Sequence, residues 1–123
     1  MTQTIAAIAL LVPDYDAGIA FYVDELGFDL LEDTVLSETK RWVRVGPKGA
    51  ETALLLAKAD SLEQVVAIGN QTGGRVGFFL HTDDFARDYA AMKTAGVTFL
   101  EEPRHEIYGS VVVFQILSVI SGT

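Results

Sequence analysis

Two stretches of the chain carry the same punctuation. Asp14 is followed thirteen residues later by Gly27, and Asp83 thirteen residues later by Gly96. Between each pair runs an apolar stripe at helical spacing. It is Ile19, Tyr22, Val23 and Leu26 in the first, and Phe85, Tyr89 and Met92 in the second. An aspartate accepts hydrogen bonds from the free amides at a helix start, and a glycine takes the left-handed conformation that ends a helix. Each predicted helix, Asp14–Glu25 and Asp83–Thr94, follows an apolar run of strand length, Ile5–Val12 and Arg75–His81. A unit repeated at an offset of 69 residues constrains the chain more than any single motif does.

The intervening segments complete the repeat. After Gly27, strands are predicted over Phe28–Leu36, Arg41–Val45 and Thr52–Ala57, with turn chemistry at Gly46-Pro47-Lys48-Gly49. Ser61-Leu62-Glu63-Gln64 has the form of a capping box before a short helix near Ser61–Ile68. After Gly96, strands are predicted over Thr98–Glu101 and Val111–Ile116, with a loop over Pro103–Gly109. The fold class expected is α+β. Two βαβββ modules form a cupped mixed sheet, a half-barrel, with the helices outside. The chain of 123 residues reads as one domain. Module one covers about 4–58, a linker helix about 60–70 and module two about 74–123.

Composition narrows the function classes. Nine Lys and Arg stand against 17 Asp and Glu, a formal net charge of −8, which repels phosphate backbones and anionic lipid. No nucleic-acid or membrane partner is expected. No cysteine is present, so thiolate nucleophiles and zinc–thiolate sites are excluded, and a reducing, cytoplasmic setting is expected. The apolar start of the chain is too short to span a bilayer and has no basic residue before Lys40, so it does not read as a signal peptide.

The segments VPDYDAGIAFYVDELGF and HTDDFARDYAAMKTAGV resemble those of the vicinal oxygen chelate superfamily. That superfamily includes glyoxalase I, extradiol dioxygenases and bleomycin-resistance proteins. The similarity covers about residues 4–115, and Asp14, Phe21, Tyr22, Leu26, Gly27 and Phe28 carry its signature. KRWVRVGPKGAETALLLAKA and EEPRHEIYG resemble a subgroup known only as glyoxalase-like. The resemblance speaks to fold more than to chemistry.

Metal-bearing relatives place four ligands on the inner sheet faces. Counted from the signature, three of those positions are Ala7, Leu55 and Gly77, none with a lone pair to give. The turn before the fourth is missing, and no carboxylate follows Glu106. No metal and no cofactor are therefore expected. The resemblance then implies a metal-free small-molecule-binding protein of the bleomycin-resistance type, a homodimer sheltering a small apolar or aromatic ligand. The alternatives are an enzyme of the same superfamily, with His81 as general base or with an unrecognised metal site, and an interaction module without a ligand.

Strand alternation supplies the candidate residues. If Gly77 faces inward, so do Phe79 and His81. The same parity puts Ala7, Ala9, Leu11, Ala53, Leu55 and Ala57 inside, with small side chains that leave room for a ligand. Val43 and Val45 suit the helix-packed face, which turns Trp42 and Arg44 to the cavity. Tyr108 is placed at its rim. The ligand-binding set expected is Trp42, Arg44, Leu55, Phe79, His81 and Tyr108, with His81 also the candidate for catalysis. His105-Glu106 starts like a zinc-protease motif, but Gly109 stands where its second histidine belongs. The short tail predicts an incomplete second half of the barrel, with Ile116, Leu117, Val119 and Ile120 docked against the sheet or a partner chain.

Overall fold

The computed structural model describes residues 2–117. Its centre is a four-stranded mixed sheet in the order β1-β4-β3-β2. The strands are β1 (Ala7–Val12), β2 (Asp29–Val35), β3 (Arg41–Gly46) and β4 (Ala53–Lys58). β1 pairs with β4 in parallel, whereas β2–β3 and β3–β4 are antiparallel. The architecture is mixed α+β, and the described sheet does not close into a barrel.

Alternation sorts this sheet into two unlike faces. Leu10 and Val12 of β1, Val43 and Val45 of β3, and Leu54 and Leu56 of β4 lie on one face and are buried. Helix α1 (Tyr15–Ile19) covers that face and runs directly into a π-helical turn over Ala20–Glu25. Phe21, Tyr22, Leu26 and Phe28 complete the core. Asp14 starts α1 by accepting from the Ala17 amide at 2.7 Å. Gly27 ends the turn at φ 84°, in the left-handed region. Gly18 lets α1 lie close to the sheet, since a Cβ there would stand 2.9 Å from Leu56 Cδ1 and 3.0 Å from Val12 Cγ1.

The second helix, α3 (Phe85–Ala95), also ends on a left-handed glycine, Gly96, at φ 103°. Its cap is Asp84, not the expected Asp83, and Asp84 accepts from the Arg87 amide at 3.1 Å. Thirteen residues thus separate cap from glycine in the first helix and twelve in the second. The π-helical turn absorbs the additional residue: the Leu26 amide donates to the Phe21 carbonyl, five residues back. Between the modules, α2 (Leu62–Ala67) starts at Ser61, whose hydroxyl accepts from the Gln64 amide, while Gln64 Oε1 accepts from the Asp60 amide.

Module two departs from the expected strands. Arg75–His81 belongs to no strand among the described residues. A strand exists through its hydrogen-bonded neighbour, and none of the described strands pairs with this segment. The predicted strands Thr98–Glu101 and Val111–Ile116 meet at a single bridge, Phe99–Phe114. The predicted loop instead holds a hairpin of β5 (Arg104–Glu106) and β6 (Gly109–Val111). Stacked and edge-on aromatic pairs bind the module together, from Phe85 through Tyr89 and Phe99 to Phe114 and Phe78. Met92 and Val97 join it to the core of module one. Ile116 and Leu117 pack against that core, whereas Val119 and Ile120 lie outside the described residues. Among the described residues, no helix is long and apolar enough to cross a membrane.

Candidate functional site

The face of the sheet opposite the helices is built differently. β1 contributes Ala7, Ala9 and Leu11, and β4 contributes Ala53, Leu55 and Ala57. Four of these six positions are alanines, which keep the surface low; Ala9 is exposed and Ala7 and Ala57 are half-buried, whereas Ala53 is buried. Arg44 is the register partner of Leu55 on one side and of Glu32 on the other. Trp42 lies two residues along β3 on the same face, opposite Thr34 of β2.

Trp42 is 40% exposed, a large apolar ring half open to solvent. The Arg44 side chain is half-buried, and its Nε donates to Glu32 Oε1 at 2.9 Å. This ion pair orients the guanidinium on the face that also carries Trp42. An indole face, a fixed cation and an aliphatic floor of Leu55 and alanines suit a flat molecule carrying a hydrogen-bond acceptor. Ala9, Thr34 and Trp42 on this face are open to solvent, and Leu55 and Arg44 partly so. Shallow hollows exist elsewhere, one between α3 and Phe99–Glu102 and one between Asp14–Asp16 and Ser37–Arg41, and none of the six candidate residues lines either.

Trp42, Arg44 and Leu55 therefore come together on one surface, whereas Phe79, His81 and Tyr108 lie in module two. Phe79 is 86% exposed and His81 is exposed, both in the unpaired segment that precedes α3. Among the described residues, the His81 side chain makes no hydrogen bond to the protein. Tyr108 is 74% exposed in the turn between β5 and β6. His105 sits in β5 opposite Ser110, with its Nδ1 and the Ser110 Oγ 2.7 Å apart.

Glu32 and Thr34 complete the polar lining of this face and were not among the residues expected there. The signal lay in the hairpin: with its turn over Leu36–Lys40, Arg44 faces Glu32 and Trp42 faces Thr34. Neither Ala7 nor Leu55 nor Gly77 bears a donor atom, so this residue set does not fit a divalent ion. Among the described residues, no group of three or more His, Asp or Glu gathers that could hold one.

A second cluster lies on the helix side. Arg41 donates to both carboxylate oxygens of Asp33 and to Asp16, and its guanidinium lies 5.3 Å from the Tyr15 ring centre. The hydrogen bonds and charge of Arg41 hold the Asp33 carboxyl below its ordinary value. This cluster ties the β2–β3 hairpin to the start of α1. In the core, burial raises the Tyr22 phenol well above its usual value.

Comparison with known proteins agrees with this architecture. An uncharacterized protein of Shewanella frigidimarina (strain NCIMB 400) is 53% identical over 119 residues, covering 95% of this chain and 88% of its own. The crystal structure of UcmS2 is 31% identical with a TM-score of 0.76, covering 94% of this chain and 92% of that one. The structure of TnmS3, an antibiotic binding protein from Streptomyces sp. CB03234, is 29% identical with a TM-score of 0.72, covering 94% and 88%. The model of the glyoxalase/bleomycin resistance protein/dioxygenase superfamily matches residues 4–119, and the chain belongs to that superfamily.

Proposed function

We propose that the protein binds a small apolar or aromatic molecule on the Trp42–Arg44–Leu55 face, without a metal, as a cytoplasmic homodimer. The observation that carries this reading is the asymmetry of the sheet. One face packs against α1 through Val12, Val43, Val45 and Leu56, while the other carries a half-exposed indole, a paired guanidinium and the partly or fully exposed Ala7, Ala9 and Ala57. A binding surface of this composition gains affinity only when a second wall removes the ligand from water. Module two of a second copy supplies that wall in this reading, with Phe79, His81 and Tyr108 closing over the ligand. Similarity to an antibiotic binding protein supports an antibiotic-like small molecule as ligand.

The test is a thermal-shift screen of small aromatics, lactones, dicarbonyls and cationic glycopeptide drugs, with elemental analysis of the purified protein. The expected result is stabilisation by aromatic members, recovered chemically unchanged, and no stoichiometric metal. Turnover of a hit, or one zinc, nickel, iron or manganese per chain, contradicts the proposal.

A further inference from the structure

The guanidinium of Arg44 is only half used. Its Nε is bound to Glu32, while its two terminal amino groups make no hydrogen bond to the protein among the described residues. A planar guanidinium held by one edge offers the other edge in a fixed direction. Trp42 stands two residues away along β3 on the same face, roughly 7 Å in an extended strand. The ligand therefore meets a ring surface and, at about that distance, a fork of N–H donors.

Charge decides what kind of acceptor the fork takes. Glu32 already neutralises Arg44 within the pair, so an anionic ligand finds no uncompensated cation there. The chain as a whole carries a formal −8, which disfavours the approach of an anion further. A neutral carbonyl has neither handicap, since it accepts from the free donors without competing with Glu32 for charge.

We infer that Glu32 is a positioning and specificity-determining residue, which turns the free edge of Arg44 toward a neutral carbonyl on a planar aromatic ligand and discriminates against carboxylates. The inference rests on the proposed binding face and specifies its ligand class. It also sets a role for the one carboxylate that faces Arg44 across the β2–β3 ladder. Replacement by glutamine keeps an oxygen to accept from Arg44 Nε and removes the charge, with the amide nitrogen standing where Glu32 Oε2 accepts from the Thr34 hydroxyl at 3.3 Å. Glu32→Gln therefore preserves the contact to Arg44 and frees the cation.

The experiment uses a matched pair of probes, 2-naphthamide and 2-naphthoate, whose affinities are measured by equilibrium binding on the full chain. The unsubstituted protein is expected to bind the amide at least about tenfold more tightly than the carboxylate, a difference of about 1.4 kcal/mol. In Glu32→Gln the carboxylate is expected to gain at least about tenfold relative to the amide, with an unchanged melting temperature. Preference for the carboxylate by the unsubstituted protein overturns the inference, as does a ratio unmoved by Glu32→Gln. In either case, binding of both probes leaves the proposed face standing. Failure of both probes to bind any variant overturns the proposed face and this inference together.

Discussion

The side chain of Gln71 holds the outer edge of β1 through the backbone of Leu11. Its Oε1 accepts from the Leu11 amide at 2.5 Å, and its Nε2 donates to the Ala9 carbonyl at 3.1 Å. One side-chain amide thus reproduces one position of a β-ladder on a strand that has a neighbour on its other side only. Open strand edges invite pairing with other chains, and covering them is a common protection. Gln71→Ala is expected to speed hydrogen exchange at the Leu11 amide and to cost about 1 kcal/mol. Unchanged exchange at Leu11 contradicts this role.

Close approach of α1 to the sheet depends on the missing side chain of Gly18. A methyl group there meets Leu56 and Val12, both fully buried and without room to retreat. Gly18→Ala is expected to destabilise by about 1–3 kcal/mol in denaturant unfolding. Shortening the obstructing neighbour with Leu56→Val should recover part of that loss. Additive costs in the double variant would show that the two positions do not compete for space.

Acid stability follows from Asp33 and Asp88. Hydrogen bonds from Arg41 hold the first carboxyl below its ordinary value, and hydrogen bonds from Arg87 and Thr82 do the same for the second. A carboxyl whose folded value is lowered contributes stability at pH values above its unfolded value. That contribution is lost as pH falls through the folded value. Urea midpoints are therefore expected to stay level above about pH 5 and to fall progressively below about pH 4. Asp33→Asn should lower the plateau and flatten the acid limb. An acid limb as steep in that variant as in the unsubstituted chain contradicts the assignment.

Phe79 tests the dimer. Its ring is 86% exposed on a segment with no strand partner among the described residues, and burying such a side chain is worth about 1.5–3 kcal/mol. Phe79→Asp is expected to shift the sedimentation of the protein toward monomer at micromolar concentration, with little change in melting temperature. A variant as dimeric as the unsubstituted chain removes Phe79 from the interface.

Module one was legible in the sequence because each element there is decided locally. Asp14 and Gly27 bound the helix, and the two-residue alternation of Trp42-Val43-Arg44-Val45 sorts β3 between its faces. The cap of α3 is Asp84, not Asp83, and the equal Asp-to-Gly spacing concealed that the first helix is one residue longer through its π-helical turn. Arg75–His81 reads as a strand by composition, yet pairing depends on a neighbour that no local pattern supplies. Glu32 was missed for a similar reason, since its significance lies across the hairpin at Arg44. Trp42, Arg44 and Leu55 were legible as a group because strand alternation puts them on one face, whereas Phe79, His81 and Tyr108 lie in a segment and a turn whose placement alternation does not decide.

The most direct test of the binding face uses Trp42 as a reporter, because it is the one tryptophan in the chain. Its emission is quenched by acrylamide with and without the strongest aromatic hit from the thermal-shift screen. Half-exposed in the free protein, the indole is accessible to quencher. Ligand stacked on Trp42 beneath a second copy's module two should lower the acrylamide quenching constant severalfold. A ligand that stabilises the protein while leaving that constant unchanged binds elsewhere, and the account of this face is then wrong.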